Sequence, residues 1–207
     1  MLARDRVANR AVFERYLTAT EERQLFSHIA KFGGVLAQRD HAWMMLLRQT
    51  GIRVGTLAAL NVGDAQVALQ NGELVVRPEA AKRGLGYRVP VTKTAREALQ
   101  ALLRVRRKMG FAPVPDEPLV VSQRKQRMSI RSYQARMQQW VRDAGLAIDA
   151  SPHWFRHTLA QRIIERTTAS DPLGMVQGAL GHRSRNSAAI YSLPSREQIA
   201  QAVEDAR

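Results

Sequence analysis

The spacing of apolar residues divides the first part of the chain into helical stretches. Leu25 and Ile29 lie four positions apart, which predicts a helix that begins at a Thr20 cap and ends before Gly33. The apolar run within residues 40–49 predicts a buried second helix. Residues 54–60 predict a short third helix.

The pattern then changes from helical spacing to short apolar runs separated by turn residues. Three such runs occupy residues 67–69, 74–76 and 87–91. The dipeptide Asn71-Gly72 between the first two is a strong hairpin signal. These residues therefore predict a small three-stranded antiparallel sheet.

Helical spacing returns after the strands. It predicts a helix over residues 92–109 and another after Pro152, where Phe155, Leu159 and Ile163 form an apolar stripe. The last stretch, 195–207, is amphipathic, with a Ser195 cap. The pattern as a whole indicates a mainly helical α+β fold.

Composition and charge narrow the class of partner. The 207 residues carry 32 Lys and Arg against 18 acids, a formal net charge of +14. Such a surplus favours a polyanion, and nucleic acid is preferred over an anionic membrane surface because no apolar run reaches about 18 residues. The chain has no cysteine, which excludes disulfides and thiolate chemistry and is compatible with the cytoplasm.

The positive charge is concentrated between residues 118 and 142, where the sequence contains no acid. A solvated helix face is the plain interpretation, and a surface that follows a phosphate backbone is the functional one. We predict DNA contacts from five residues of this stretch, Arg124, Lys125, Arg127, Arg131 and Arg136.

The stretch from Ser151 to Tyr191 combines residues suited to acting on an anion. His153 and Arg156 stand three positions apart and share one face of the predicted helix. Arg156 adjoins the apolar stripe, where an arginine needs an anionic or polar partner. Tyr191 follows His182 by nine positions.

These motifs, taken together and in order, resemble the tyrosine recombinase (phage integrase) family. The matching motifs are Thr50-Gly51-Ile52-Arg53, Lys82 in a turn, His153-x-x-Arg156-His157, Leu180-Gly181-His182, and Tyr191. The resemblance covers residues 17–194 and implies an integrase-type catalytic domain. One departure is Thr56, where the family commonly has an acid, which bears on local packing.

The resemblance implies a role for each of the six matched residues. Tyr191 is the nucleophile, and Lys82 is the general acid for the leaving 5′ oxygen. Arg53 and Arg156 hold the non-bridging oxygens of a phosphodiester. His153 assists proton movement, and His182 donates a hydrogen bond to phosphate. The expected activity is site-specific DNA cleavage and rejoining through a 3′-phosphotyrosyl link, without a metal or other cofactor.

The resemblance also implies an assembly. We expect a homotetramer on paired double-stranded DNA sites at the bacterial nucleoid, with accessory DNA-bending proteins left open. Residues 1–16 are interpreted as a basic arm or linker remnant, and residues 195–207 as a helix packing on a neighbouring protomer. Family members usually carry a further N-terminal helical domain that completes a clamp around DNA.

Other interpretations were weighed against this one. Arg53 could pair with Asp64 or cap a helix in a structural role, and His153 with His157 could bind metal, although no third ligand is evident. A type IB topoisomerase shares the catalytic residues, and a DNA-binding regulator without activity could retain them. The sequence leaves open the target site and the outcome: integration, excision, inversion or resolution.

Overall fold

The structure is a computed structural model that describes residues 15–81, 84–181 and 203–206. Three predicted catalytic residues, Lys82, His182 and Tyr191, lie outside the described residues. So do most of the predicted arm (1–16) and most of the predicted terminal helix (195–207). The fold that follows is that of the described part.

Eight α-helices and two strands make up the described part of the chain. In order they are α1 (Ala19–Ala30), α2 (Val35–Thr50), α3 (Val54–Ala59), α4 (Val62–Asn71), β1 (Glu73–Val76), β2 (Tyr87–Pro90), α5 (Lys93–Lys108), α6 (Ile130–Asp143), α7 (His153–Arg166) and α8 (Pro172–Leu180). A single 3₁₀ turn, Pro78–Ala80, follows β1. The prediction of a mainly helical α+β fold is confirmed.

The N-cap of the first helix lies two residues before the predicted one. Thr18, not Thr20, is the N-cap: its hydroxyl accepts the Glu21 N–H, and the Glu21 carboxylate accepts the Thr18 N–H at 2.8 Å. This reciprocal pair satisfies two helix-terminal donors at once, which Thr20 could not do without a Glu or Gln three residues on.

Helix α2 forms the centre of the core. It packs against α1, α3, α5 and α7, and Trp43 and Met44 on it are fully buried. It ends at Gly51, which adopts the left-handed conformation and donates its N–H to the Leu47 carbonyl. Glycine closes a helix in this way without a Cβ penalty. The chain therefore turns sharply just before Arg53.

The prediction of three strands is wrong, since the described residues form a two-stranded sheet. β1 and β2 pair antiparallel, with Glu73 opposite Pro90 and Val76 opposite Tyr87. The third predicted strand, residues 67–69, belongs to α4. Asn71-Gly72 is consequently a helix end and not a hairpin turn: Gly72, at φ +75°, donates to the Ala68 carbonyl.

Two local features explain why residues 62–71 form a helix. Asn61 caps it, and the Asp64 carboxylate accepts the Asn61 N–H at 2.8 Å, a reciprocal cap that favours helix. Val62, Ala65 and Ala68 are all fully buried, and their three-residue spacing places them on one helical face. Core contacts on this face outweigh the strand preference of Val67, which stays exposed.

None of the helices in the described part of the chain combines the length and apolar character needed to cross a membrane. Helices α7 and α8 pack on each other beside α2. His153 and Arg156 on α7, and Leu180 and Gly181 at the end of α8, therefore approach the C-terminal end of α2. This contact positions the candidate site.

Candidate active site

Helix α7 presents His153 and Arg156 at its first turn. The helix starts after Pro152, and the Trp154 N–H donates to the Ser151 carbonyl at 2.9 Å, which tightens the entry. Phe155, fully buried, anchors the helix in the core. His153 is exposed at the helix start, whereas Arg156 is only 2% exposed.

Arg156 joins the two helix ends that precede Arg53 and His182. One terminal nitrogen donates to the Gly51 carbonyl at 2.6 Å and the other to the Leu180 carbonyl at 2.8 Å. A buried guanidinium is tolerated only when its donors are satisfied, and two helix-terminal carbonyls do this well. The guanidinium is thus fixed at the junction of α2, α7 and α8.

The ends of α2 and α8 approach so closely that a side chain at position 51 would have to displace its neighbours. A Cβ there would lie 2.4 Å from Leu180 Cδ2 and 2.9 Å from Leu159 Cδ2. Gly51 also has φ +60°, which disfavours any side chain. Direct packing of Leu180 on the Gly51 backbone therefore brings the Arg53 segment beside the residues that lead to His182.

The β-hairpin meets the same junction from another side. Gly181, at φ +62°, lies against the ring of Tyr87 in β2, and a Cβ on it would be 2.6 Å from Tyr87 Cδ2. Tyr87 follows Lys82 by five positions. The hairpin that carries Lys82 and the helix end that precedes His182 are therefore in contact through their described flanks.

Thr56 connects Arg53's helix to the segment that leads to Lys82. Its hydroxyl donates to the Ala80 carbonyl at 2.9 Å, and the side chain is 2% exposed. The residue that departs from the family pattern thus has a hydrogen-bonded role in local packing. No local pattern indicates this bond, because Thr56 and Ala80 lie 24 positions apart in the chain.

Of the two structural alternatives for Arg53, pairing with Asp64 is not what the described residues show. Asp64 is paired with Arg77, whose Nε lies 3.2 Å from Oδ1, and it also caps α4. Arg53 is half-buried and occupies the N-cap position of α3, where its side chain makes no capping hydrogen bond. It stands two positions after Gly51, whose carbonyl Arg156 binds, so its main chain adjoins the junction.

His153 and His157 form an edge-to-face pair with ring centroids 4.7 Å apart. His157 is 6% exposed, and His153 is exposed to solvent. Within the described ranges no three His, Cys, Asp or Glu residues are arranged to hold a metal ion. The ring contact joins the first two turns of α7, so His157 contributes to the packing of that helix start.

The predicted DNA-contact residues divide into two groups. Arg124, Lys125 and Arg131 are exposed. Arg127, also exposed, binds the C-terminal end of α3 by donating to the Ala58 carbonyl at 2.8 Å. Arg136 is half-buried, and its Nε lies 2.7 Å from a carboxylate oxygen of Asp40, a residue that sequence reasoning did not single out.

The turn within the basic stretch has an unusual backbone. Lys125 has φ +60°, the left-handed conformation that residues other than glycine rarely adopt. The Ser122 N–H donates to the Gln126 carbonyl at 2.8 Å and closes the turn. Strain of this kind is found where a loop presents side chains for binding.

Comparison with known protein families matches residues 15–197 to the phage integrase family. The chain belongs to that family. Among curated proteins, this integrase-family chain is 35% identical over 171 residues to the tyrosine recombinase XerC of Shewanella amazonensis, covering 83% of this chain and 54% of the relative. It is 37% identical over 172 residues to XerC of Vibrio campbellii, covering 83% and 51%. The chain thus spans about half the length of the curated relatives it matches.

Solved structures agree on the fold of this integrase-family chain. The crystal structure of XerA recombinase superposes with a TM-score of 0.71 and 25% identity, covering 93% of this chain and 65% of that one. XerH recombinase bound to its difH substrate superposes with a TM-score of 0.70 and 21% identity, covering 95% and 55%. The prediction of an integrase-type fold is therefore confirmed.

Proposed function

We propose that this chain is a tyrosine site-specific recombinase catalytic region that cleaves and rejoins DNA through Tyr191. The observation that carries the proposal is the Arg156 junction. One buried guanidinium binds the carbonyls of Gly51 and Leu180, and Tyr87 of the Lys82 hairpin packs on Gly181. Residues within or next to four separate predicted motifs are thus in contact with one another.

The chemistry follows from the residue types that the family resemblance assigns to the site. The phenolic oxygen of Tyr191 would attack the phosphorus atom and form a 3′-phosphotyrosyl bond, while the bond to the 5′ oxygen breaks. Lys82 would give that oxygen its proton. Rejoining reverses the step, with the 5′ hydroxyl as nucleophile, and the retained ester bond supplies the energy.

Two arginines would stabilise the negative charge that develops on the non-bridging oxygens of the phosphate. Arg53 and Arg156 present planar forks suited to non-bridging oxygens. His182 would donate a further hydrogen bond, and His153, exposed at the start of α7, would exchange the tyrosine proton. Arg156 is already held by two carbonyls, so its orientation costs little reorganisation when phosphate arrives.

Double-stranded DNA is the proposed partner. The charge of +14 favours it, and structural neighbours include an integrase of transposon Tn1549 in complex with transposon right end DNA. That neighbour is 19% identical and informs the fold alone. A homotetramer at the nucleoid, accessory bending proteins, and docking of residues 195–207 on a neighbouring protomer belong to the same proposal.

The test uses nicked duplexes with a randomised core, from which a cleaved strand cannot be rejoined. SDS-resistant adducts are recovered, sequenced, and mapped to a peptide of the protein. We expect adducts with the unaltered protein and none with Tyr191→Phe, while Tyr16→Phe serves as the matched control. Adducts that persist with Tyr191→Phe would refute the nucleophile assignment.

Two other functions predict different results in the same assay. A type IB topoisomerase would relax any supercoiled plasmid and give adducts without sequence preference. A DNA-binding regulator would bind the duplexes in a salt-dependent way and give no adduct at any sequence.

A further inference from the structure

A basic cavity of about 380 Å³ lies between α2, the 122–127 turn and the start of α6. The polar side chains that line it include four arginines and three serines, Arg39, Arg124, Arg127, Arg136, Ser122, Ser129 and Ser132. No carboxylate is among its lining residues in the described ranges. Such a lining is suited to a phosphate group, which offers several acceptor oxygens to guanidinium forks.

The cavity is separate from the Arg156 junction. Arg39 and Gly51 lie near opposite ends of α2, twelve residues apart, which corresponds to about 18 Å at the helical rise. A phosphate in the cavity is therefore a different phosphate from the one that Tyr191 would attack.

Asp40 lies behind the cavity and organises it. Its carboxylate is 0% exposed and accepts hydrogen bonds on both oxygens. Oδ1 accepts from Arg39 Nε at 3.0 Å and from Trp43 Nε1 at 3.0 Å. Oδ2 accepts from Arg136 Nε at 2.7 Å and from Trp140 Nε1 at 2.9 Å.

The two arginines are held differently. Arg136 uses Nε for Asp40 and lies over the Trp140 ring, 5.2 Å from its centroid, so the planar group is held from two sides while its side chain stays 38% exposed. Arg39 is only 4% exposed, and all three of its guanidinium nitrogens donate, Nε and Nη2 to Asp40 Oδ1 and Nη1 to the Val121 carbonyl at 3.1 Å. Arg136 therefore keeps its terminal nitrogens available to the cavity, and Arg39 contributes a fixed, buried positive charge.

A third arginine of the cavity is fixed by a different element. Arg127 donates to the Ala58 carbonyl at 2.8 Å and to Asn61 Oδ1 at 2.7 Å. Ser129 and Ser132 have their hydroxyl oxygens 2.9 Å apart at the edge of the cavity. The charge of the cavity is thus held on packed elements, whereas a solvated helix face would leave its arginines mobile.

We propose that this cavity is a phosphate-binding site for the DNA backbone and that Asp40 is its positioning residue. The inference rests on the proposed function for the identity of the ligand as DNA. Asp40 does not touch the phosphate, because its carboxylate is fully buried; it acts by orienting Arg136, which is partly exposed, with Arg39 as a buried positive charge beside it. Sequence reasoning missed Asp40, and Arg39 beside it.

Asp40→Asn distinguishes a positioning role from a simple effect of net charge, because the two predict changes of opposite sign in DNA affinity. The substitution raises the net charge of +14 by one, so simple electrostatics predicts tighter DNA binding. Loss of positioning predicts that DNA affinity falls by about tenfold, which corresponds to the loss of one charge-assisted hydrogen bond. It also predicts that the slope of log K against log salt becomes shallower by about one.

Glu22→Gln is the matched control for Asp40→Asn. Glu22 is 4% exposed and is also paired with two arginines: Arg48, at 2.6 Å, and Arg162. Its substitution adds the same charge and removes a comparable buried ion pair, at a different cavity. We expect unchanged or tighter binding and an unchanged slope. Equal weakening by both substitutions would overturn the positioning role.

Arg136→Gln keeps the test decisive if Asp40→Asn fails to fold. Its control is Arg142→Gln, the same charge change at the other end of α6, where Arg142 is exposed. We expect Arg136→Gln to reduce the salt slope by about one and Arg142→Gln to leave it almost unchanged. Equal effects would indicate diffuse attraction and overturn the site.

A probe that needs no DNA distinguishes failure of this inference from failure of the proposed function. Pyrophosphate at low ionic strength should raise the melting temperature of the unaltered protein and of Arg142→Gln, and raise that of Arg136→Gln much less. Protection that is equal in all three proteins would overturn the cavity as an anion site, whatever the adduct assay shows. Protection that requires Arg136 would support the site even without DNA cleavage.

Discussion

Leu180 packs directly on the Gly51 backbone, so closely that a Cβ on Gly51 would lie 2.4 Å from Leu180 Cδ2. This contact joins the ends of two helices that are far apart in sequence and sets the distance between the carbonyls that Arg156 binds. The geometry of the candidate site therefore depends on a position that carries no side chain.

Gly51→Ala should disrupt this contact. The added methyl disfavours the left-handed backbone conformation and overlaps with the side chains of Leu180 and Leu159. We therefore expect a loss of about 2–4 kcal/mol in the free energy of unfolding. DNA cleavage should fall more than the folded fraction does, because the Arg156 acceptors separate. Urea denaturation and adduct formation measure the two effects.

Gly72→Ala is the control for that substitution. Gly72 has φ +75° and nothing within 4 Å of its would-be Cβ, so only the backbone cost of about 1–2 kcal/mol applies. If both variants lost the same free energy of unfolding, packing of Leu180 on Gly51 would have no role.

Thr56→Val should leave the buried Ala80 carbonyl without the hydroxyl that now lies 2.9 Å away. An unsatisfied buried acceptor costs about 1–3 kcal/mol. Since Ala80 precedes Lys82 by two positions, we also expect slower cleavage at unchanged DNA affinity. Single-turnover cleavage and anisotropy titration separate the two, and Thr56→Ser, which keeps the hydroxyl, should retain most of both.

Arg156→Lys should lose one of the two carbonyl bonds, because a single ammonium cannot span acceptors fixed on Gly51 and Leu180. We expect a loss of about 2–3 kcal/mol in the free energy of unfolding together with loss of cleavage. Arg53→Lys, at a half-buried position, should lose cleavage with little change in stability. The opposite ranking of the two melting temperatures would contradict the junction role of Arg156.

Stability should fall as the pH is lowered, in part through His41. Burial lowers the pKa of His41 below its ordinary value of 6.5, so the unfolded chain binds the proton first. The free energy of unfolding is unaffected above pH 6.5 and declines as the pH drops from 6.5 toward the folded-state pKa. Denaturation between pH 7.5 and 5 measures this, and His41→Phe should make the dependence weaker.

The sequence predicted those parts of the molecule that depend on local pattern. His153 and Arg156 stand at a helical spacing beside an apolar stripe, whereas Arg53 was singled out by the family resemblance. The extra strand at residues 67–69 was predicted wrongly because Asn71-Gly72 was interpreted as a hairpin turn, although Asn61 and its capping partner Asp64 identify a helix. The bond of Thr56 to Ala80 and that of Asp40 to Arg136 were missed because these partners lie 24 and 96 positions away.

The acceptors that hold Arg156 are main-chain oxygens of Gly51 and Leu180, and every amino acid supplies that oxygen. A substitution at position 180 can therefore change the side chain without removing the hydrogen bond from Arg156, provided that α8 still ends at the same residue. The vulnerable genetic targets at this joint are therefore the codon of Arg156, which supplies both donors, and the codon of Gly51, whose left-handed backbone sets the position of one acceptor.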